Sequence, residues 1–147
     1  MKLLPEPQSK IRLARITTEP LDPERLRAAI VDPAGGAIAL FIGVVRNHDE
    51  GRTVSALSYS AHPSATDRLL EILSGYAGRA DVLAIAVEHR IGDLQVGDTA
   101  VICGVTSAHR DVAFAVCSAL IEEVKAEVPI WKNQTFTDGS SEWIGSS

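Results

Sequence analysis

The residues with the clearest chemical potential in this sequence are cationic side chains. The chain has only four lysines, and two of them, Lys125 and Lys132, flank a proline-aromatic segment. Neighbouring ammonium groups can bind an anion, and a lysine crowded by other cations has a lowered pKa that suits proton transfer near neutrality. Alternatively, Lys125 complements the dipole at a helix end and Lys132 is a solvated surface lysine.

Three further cations lie next to predicted element ends. His109 and Arg110 stand between a predicted buried strand and a long helix, where free backbone N–H groups and the helix dipole favour an anion. Arg46 ends an apolar run just before a polar loop, a common position for site residues. The competing interpretations are a capped helix start with solvated side chains and a charge that marks a strand end. Alternation predicts that His89 and Arg90 point to opposite faces, so at most one of them lines a pocket.

The motifs of several other chemistries are missing from the sequence. We find no phosphate-binding P-loop, no dinucleotide fingerprint, no nucleophile elbow and no His-x-x-Glu-His zinc motif. The four histidines lack metal-ligand spacing, so we expect no metal. Cys103 and Cys117 have no adjacent base in sequence and lie in apolar surroundings, which predicts buried structural thiols.

Length and composition predict one globular domain over residues 1–147. Apolar residues make up 46% of the 147 residues and charged residues 22%, and the net charge is −5. An acidic chain is a poor nucleic-acid binder, so an anion site must be a local concentration of cations. No apolar run reaches the ~18 residues of a membrane span, and the N-terminus lacks a signal-peptide core. We therefore expect a cytoplasmic protein.

Hydrophobic patterning then predicts the elements that position the cations. We expect residues 1–10 to form a loose leader and residues 130–147 to form an irregular active-site and C-terminal segment with a hairpin at Asp138-Gly139. The helix at 108–128 carries an apolar residue every four positions, and 36–46 resembles a strand buried on both faces. The intermingled elements indicate an α/β or α+β fold with a mixed sheet. Strands are predicted at 11–20, 36–46, 53–62, 81–92 and 99–107, with loops or turns at 46–52 and 93–98, and helices at 21–33, 63–78 and 108–128.

The length of the last helix constrains how the cations can cooperate. Arg110 and Lys125 are 15 residues apart, so their backbones are separated by roughly 22 Å along the helix axis. A small anionic ligand can hardly touch both ends of one helix. If both residues act on one ligand, the helix start of one subunit must approach the helix end of another, as a two-fold dimer allows.

Four segments together resemble the MoaE family, the large catalytic subunit of molybdopterin synthase. They are GAIALFIGVVRNHDEG, VEHRIGDLQVGD, VTSAHRDVAFAV and VKAEVPIWK, in that order and spacing. The resemblance implies a hammerhead-like mixed sheet with packed helices and a small additional β subdomain. It also implies a homodimer within a heterotetramer. The partner would be a small ubiquitin-like, MoaD-like sulfur-carrier subunit with a Gly-Gly thiocarboxylate at its C-terminus.

The activity that the resemblance implies is a sulfurtransferase step of molybdenum cofactor biosynthesis, without a cofactor of its own. Precursor Z, a cyclic pyranopterin monophosphate, would receive two sulfurs and become molybdopterin. A non-catalytic homologue that binds the carrier or the pterin as a scaffold is the alternative. The residues that match the family's site are Lys125 and Lys132 as catalytic groups, and Arg46, His109, Arg110 and Phe41 as substrate-binding groups.

The sequence departs from the family's pattern at two places. Many members have an acidic residue where this chain has Gln134, two positions after the second lysine. Many also have Glu-Ala-Tyr in place of residues 60–62, which here read Ser-Ala-His. Both changes leave the cations intact, but they remove carboxylates to which a proton-transfer role could be assigned.

Overall fold

The computed structural model describes residues 7–145 as a mixed α+β fold with two sheets. Within that range, no helix combines the length and apolar character needed to cross a bilayer. The helices are α1 (Pro7–Lys10), α2 (Pro23–Ala29), α3 (Ala65–Ala77) and α4 (Arg110–Glu127). The strands are β1 (Ile11–Thr17), β2 (Ala37–Val44), β3 (His48–Asp49), β4 (Arg52–Ala61), β5 (Ala84–Arg90), β6 (Gly92–Leu94), β7 (Thr99–Ser107), β8 (Ile130–Phe136) and β9 (Ser141–Gly145).

The large sheet has the strand order β1-β5-β7-β2 and confirms the predicted mixed sheet. β1 and β5 are parallel, whereas β7 pairs antiparallel with both β5 and β2. The main core lies between this sheet and helices α3 and α4. On α4, the predicted stripe is confirmed, because Val116, Leu120 and Val124 are buried there. Helix α2 covers part of the opposite face with Leu26 and Ile30, and Asp22 caps its start as its residue type predicts.

The second sheet contains β3, β4, β6, β8 and β9 and is referred to below as the small sheet. It shows that the prediction of an irregular segment at 130–147 is wrong for the described residues of that segment. Within the described part of that segment, β8 and β9 form the hairpin expected at Asp138-Gly139, where Gly139 adopts a φ of 87°. β8 also pairs antiparallel with β4, with Lys132 opposite Tyr59. Because side chains alternate along a strand, Lys132 and Gln134 project from the same face of β8.

Other boundaries differ from the sequence-based expectations in small ways. Residues 7–10 of the predicted leader form the helical turn α1, and residues 1–6 lie outside the described residues. The loop 46–52 contains β3, and the turn 93–98 begins in β6. Helix α3 (Ala65–Ala77) is slightly shorter than the predicted helix at 63–78, and Gly78 is its C-cap residue.

Strand β2 is not buried on both faces as predicted. It lies at the edge of the large sheet, and α2 covers only part of the face to which its even-numbered residues point. The unbroken apolar run of β2 therefore combines residues on a face that the chain covers with residues on a face that it leaves exposed. The residues left exposed form an apolar strip along the strand. The exposed side chains on that strip are Ile38, Leu40, Ile42 and Val44.

A buried ion cluster fastens α2 and β1 to the sheet. The Glu88 carboxylate on β5 is fully buried. Its Oε2 atom lies 2.8 Å from Arg15 Nε on β1 and accepts a 3.0 Å hydrogen bond from Arg25 on α2. A buried carboxylate is tolerated only when it is paired in this way. The cluster thereby joins the strands β1 and β5 and holds α2 on the face of the sheet opposite α4.

Replacing the buried carboxylate should destabilise the fold. Glu88→Gln removes the charge shared by two half-exposed guanidinium groups, and we expect a loss of about 2 kcal/mol in the free energy of unfolding. Urea denaturation followed by circular dichroism measures this loss. Glu19→Gln removes the exposed carboxylate 4.0 Å from the same Arg15 and should leave stability unchanged within error. Equal effects of the two substitutions would contradict the role assigned to Glu88.

Candidate active site

Three of the predicted cations converge on one cavity of about 430 Å³. Lys125, Lys132 and Arg46 line it, together with Asp49 and Tyr59. The cavity lies where the end of β2, the C-terminal part of α4 and the inner face of the small sheet meet. It is large enough for a small organic anion, and its walls carry more positive than negative groups.

The two lysines reach the cavity because the chain reverses between α4 and β8. Lys125 lies in the last turn of α4, and Val128 caps that helix in an extended conformation. Pro129 cannot continue a helix, so the chain turns there into β8. Buried Val128 and Ile130 anchor the reversal on both sides. Lys132 then faces back toward the helix end it has just left.

The environment of Lys132 lowers its pKa. Burial of the side chain is the largest cause, and the charges of Lys125 and Arg46 act in the same direction. The carboxylates of Asp49 and Glu142 oppose them by favouring the ammonium form. Lys132 is therefore a lysine whose protonation depends on a balance between nearby cations and nearby carboxylates.

Gln134 organises the acidic side of the cavity. Its side chain is only 3% exposed, and its Nε2 donates to Asp49 Oδ2 at 2.7 Å and to Glu142 Oε1 at 3.3 Å. Arg46 donates to the other oxygen of Asp49 at 3.4 Å. The hydrogen bond from Gln134 is the main cause of the lowered pKa of Asp49, so that carboxyl stays ionised. The residue that departs from the family's pattern thus joins two carboxylates.

A second, small cavity lies beneath Lys125 and is lined by Tyr59 and His89 among others. The two rings meet edge to face with their centroids 4.9 Å apart. His89 Nδ1 donates to the carbonyl of Arg90 at 2.7 Å, and burial lowers the pKa of His89 to about 4. A neutral imidazole therefore lies under the lysine. Arg90 instead contacts Asp98, which agrees with the prediction that at most one of this pair lines a pocket.

The two thiols take no part in this chemistry. Cys103 and Cys117 are buried and unpaired by disulfides, as their apolar surroundings predict. Burial raises the pKa of both thiols, which disfavours the reactive thiolate. Among the described residues, no cluster of three or more histidine, cysteine or acidic side chains is arranged to hold a metal ion.

The remaining predicted site residues do not line the large cavity of the single chain. His109 and Arg110 are exposed at the start of α4, at the opposite end of the helix from Lys125. His109 is the N-cap residue, but its side chain makes no capping hydrogen bond. Phe41 packs against the main core on the α4 side of β2.

Asp49 and Tyr59 are among the cavity residues that the sequence did not single out. Asp49 lies in a polar loop whose pairing with β4 no local pattern shows. Tyr59 lies on β4, and it faces the cavity only because β8 pairs beside it. For Gln134, which also lines the cavity, the available signal was its position two residues after Lys132, which places both side chains on one face of a strand.

A cavity lined by two lysines and an arginine on a mixed α+β fold is typical of the class of proteins whose sites suit small anionic molecules. Comparison with known proteins narrows the class. The family model described as MoaE protein matches residues 16–127. The molybdopterin synthase catalytic subunit 1 of Mycobacterium tuberculosis is 40% identical over 132 residues, which cover 89% of each chain. The human molybdopterin synthase catalytic subunit is 37% identical, over 88% of this chain and 69% of that protein.

A solved structure supports the same grouping. The crystal structure of molybdopterin synthase from Staphylococcus aureus superposes with a TM-score of 0.81 and 34% sequence identity. The match covers 88% of this chain and 95% of that one. The chain therefore belongs to the MoaE family, and the resemblance inferred from its four segments is confirmed.

The hydrogen bonds of Gln134 predict that an acid is poorly tolerated at this position in this chain. In Gln134→Glu, a carboxyl replaces the amide that donates to Asp49 and Glu142. Like charges at this distance cannot all ionise, so the pKa of the new carboxyl should be raised. We expect the variant to be about 1–3 kcal/mol less stable at neutral pH.

This explanation also predicts how the loss of stability in Gln134→Glu should change with pH. A carboxyl whose folded pKa lies above its unfolded value destabilises the fold as pH rises through that pKa, so the deficit should shrink toward acidic pH. Thermal unfolding across a pH series measures it. Gln95→Glu, the same substitution at an exposed turn residue, is the control. A deficit that is independent of pH would contradict the explanation.

Proposed function

We infer that this chain acts as the catalytic subunit of a molybdopterin synthase. In this role it converts precursor Z to molybdopterin with two sulfurs from the thiocarboxylated C-terminus of a small ubiquitin-like carrier subunit. The observation that carries the proposal is the convergence of Lys125, Lys132 and Arg46 on one cavity of about 430 Å³. The names of its relatives support the same activity.

The cations match the charge of both reactants. A thiocarboxylate and a cyclic phosphate are anions, and bringing them together costs electrostatic energy that grows as water is excluded. Lys125, Lys132 and Arg46 offset that repulsion and hold the reacting atoms close. A Gly-Gly tail has no side chains, so it can enter a narrow opening beside them.

Each sulfur transfer needs positioning and proton transfer more than activation of the nucleophile. The sulfur of the carrier forms a bond to a carbon of the pterin side chain, and the bond from that carbon to its oxygen breaks, so that the oxygen leaves with the opened phosphate in one transfer and as water in the other. Water then cleaves the acyl C–S bond and leaves a carboxylate on the carrier. The sulfur is already reduced, so the transfer needs no redox cofactor. Lys125 is our candidate for the main catalytic group, and Lys132 for the group that stabilises developing negative charge.

A homodimer would complete the site through the edge of the large sheet. β2 pairs with β7 so that Ala37 lies opposite Ser107, just before α4, while Val44 lies near Lys125 at the other end. Strand and helix therefore run side by side in one direction, and each spans about 27 Å. A two-fold axis near the middle of β2 brings the partner's α4 start to this α4 end. His109 and Arg110 of the partner then approach Lys125.

The exposed surface of the chain favours this arrangement. The even-numbered residues of β2 form an exposed apolar strip, and Phe114, one turn after Arg110, is 67% exposed. Burial of such side chains against a second copy would supply the hydrophobic contribution that dimers need. The same contact would pair the unpaired edge of the sheet.

Reconstitution tests the activity and separates it from the scaffold alternative. Purified chain is mixed with thiocarboxylated carrier and precursor Z, and molybdopterin is detected by the fluorescence of its oxidised derivative. We expect product to form. Tight binding of the carrier without product would favour a non-catalytic homologue instead.

A composite site predicts complementation between two inactive variants. Lys125→Ala and Arg110→Ala should each lower the rate by about 100-fold or more. A mixed dimer of the two has one site with both residues intact and one with neither. Random mixing makes half of the dimers mixed, so about a quarter of wild-type activity should return. Co-expression with two affinity tags allows the mixed dimer to be isolated, and no recovery in that dimer would place both residues in one chain's site.

The lowered pKa of Lys132 predicts a pH dependence of the rate. If the ammonium form stabilises charge, activity should fall on the alkaline side below the ordinary lysine value of 10.5, as Lys132 loses its proton. Lys132→Arg keeps the positive charge at all these pH values and should remove this fall while lowering the rate at neutral pH. Initial rates across a pH series measure both effects. A fall that persists in the arginine variant would assign the titration to another group.

A further inference from the structure

We propose that Asp49, held in place by Gln134 and Arg46, is the positioning residue that keeps Lys132 charged and directed into the cavity. The proposal rests on the proposed function, because it gives a role to a side chain of the same site. Asp49 lines the same cavity as Lys132 and supplies a negative charge that the neutral Gln134 does not. The residue is not itself a group that contacts the reacting atoms.

The first support is the way in which Asp49 is held. Each of its two oxygens accepts one hydrogen bond, from the Gln134 amide at 2.7 Å and from Arg46 at 3.4 Å. One donor comes from β8 and the other from the residue pair that leads into β3. A carboxylate fixed from two sides has little freedom to turn away from the cavity that it lines.

The second support is the chemistry of Gln134. Its NH₂ group has two hydrogen atoms, and both donors are directed to carboxylates, those of Asp49 and Glu142. A carboxylate at residue 134 could donate to neither. The amide therefore lets a neutral side chain occupy a buried position while the negative charge lies one side chain further away, on Asp49.

The third support is the set of charges that face Lys132. Cations approach it from α4 and from the end of β2, and carboxylates approach it from β3 and β9, with the Tyr59 ring opposite it on β4. Of the two carboxylates, Asp49 has the larger influence and is the one held by Gln134 and Arg46 together. Removing Asp49 would leave Glu142 as the carboxylate that favours the charged form of Lys132. The charged groups concerned are Lys125, Arg46, Asp49 and Glu142.

The titration of Lys132 can be observed directly. Because the chain has only four lysines, each ¹³Cε signal of a lysine-labelled sample can be assigned by substitution. In Asp49→Asn we expect the Lys132 titration to move to lower pH than in the wild type, since an opposing negative charge is lost. Glu50→Gln removes the same charge from the next residue, an exposed carboxylate that lines the same cavity but is not among the groups that shift the pKa of Lys132, and should leave the Lys132 titration in place.

A third variant tests the holding contact. Gln134→Met keeps the length of the side chain but cannot donate, so Asp49 is held only by Arg46 and the Lys132 titration should move in the same direction by a smaller amount. Circular dichroism verifies that each variant is folded. If Asp49→Asn does not fold, Asp49→Ser at the same loop position replaces it.

Two results would overturn the proposal. One is an unchanged Lys132 titration in folded Asp49→Asn; the other is an equal shift in Asp49→Asn and Glu50→Gln, which would reflect net charge alone.

The rate gives a second measurement, because Asp49→Asn should move the alkaline fall of kcat to lower pH, with a loss on the order of tenfold on that side. A wild-type chain that makes no molybdopterin would refute the proposed function, while the shift of the Lys132 signal would still test Asp49.

Discussion

Repulsion among three cations in one cavity is the constraint around which this site is built. Lys125, Lys132 and Arg46 would push one another apart in a cavity without compensating groups. The structure offsets this repulsion locally, with Asp49 and Glu142 on one side. The negative end of the α4 dipole adds to this at Lys125. The three cations can therefore lie close together in the cavity that an anionic ligand would enter.

The fold makes this concentration of charge possible by reversing the chain once. Lys125 and Lys132 are separated by a helix end, a proline and the first residues of a strand, and they still line one cavity. The reversal is held by buried apolar residues on both sides of Pro129. The large sheet carries α4, and the small sheet carries β8, so the cavity forms where the two sheets meet. Displacing either sheet would separate the lysines.

The long elements of the large sheet could be predicted because their patterns are local. The buried residues at four-residue intervals on α4 and the apolar run of β7 match the expected helix and strand. The strands β8 and β9 of the small sheet were harder to predict, because β8 has a run of polar residues from Lys132 to Thr135 and β9 is only five residues long. β8 is held by pairing with β4, and β9 by pairing with β8. An apolar run also does not show whether both faces of a strand are covered within one chain, which explains the error at β2.

The candidate site likewise contains residues that the sequence could indicate and one, Asp49, that it could not. Arg46, Lys125 and Lys132 lie at ends or turns of elements, where residue type and the resemblance to the family both indicate them. Asp49 depends on a tertiary contact with Gln134, and a departure at one position does not reveal the residue that compensates for it. A difference from the family's pattern is therefore informative only once its hydrogen bonds are known.

The separation of the predicted cations into two groups has a physical consequence for the whole assembly. The described cavity contains Lys125, Lys132 and Arg46, whereas His109 and Arg110 are exposed at the far end of the same helix. Five cations in a single chain's cavity would require still more carboxylates nearby, and these would also repel the substrate. In the proposed dimer, two of the cations would come from the second copy, and burial of the apolar surface of β2 would offset the cost of bringing them together. Each subunit would then fold with three cations in its cavity, and the set of five would be complete only in the proposed dimer.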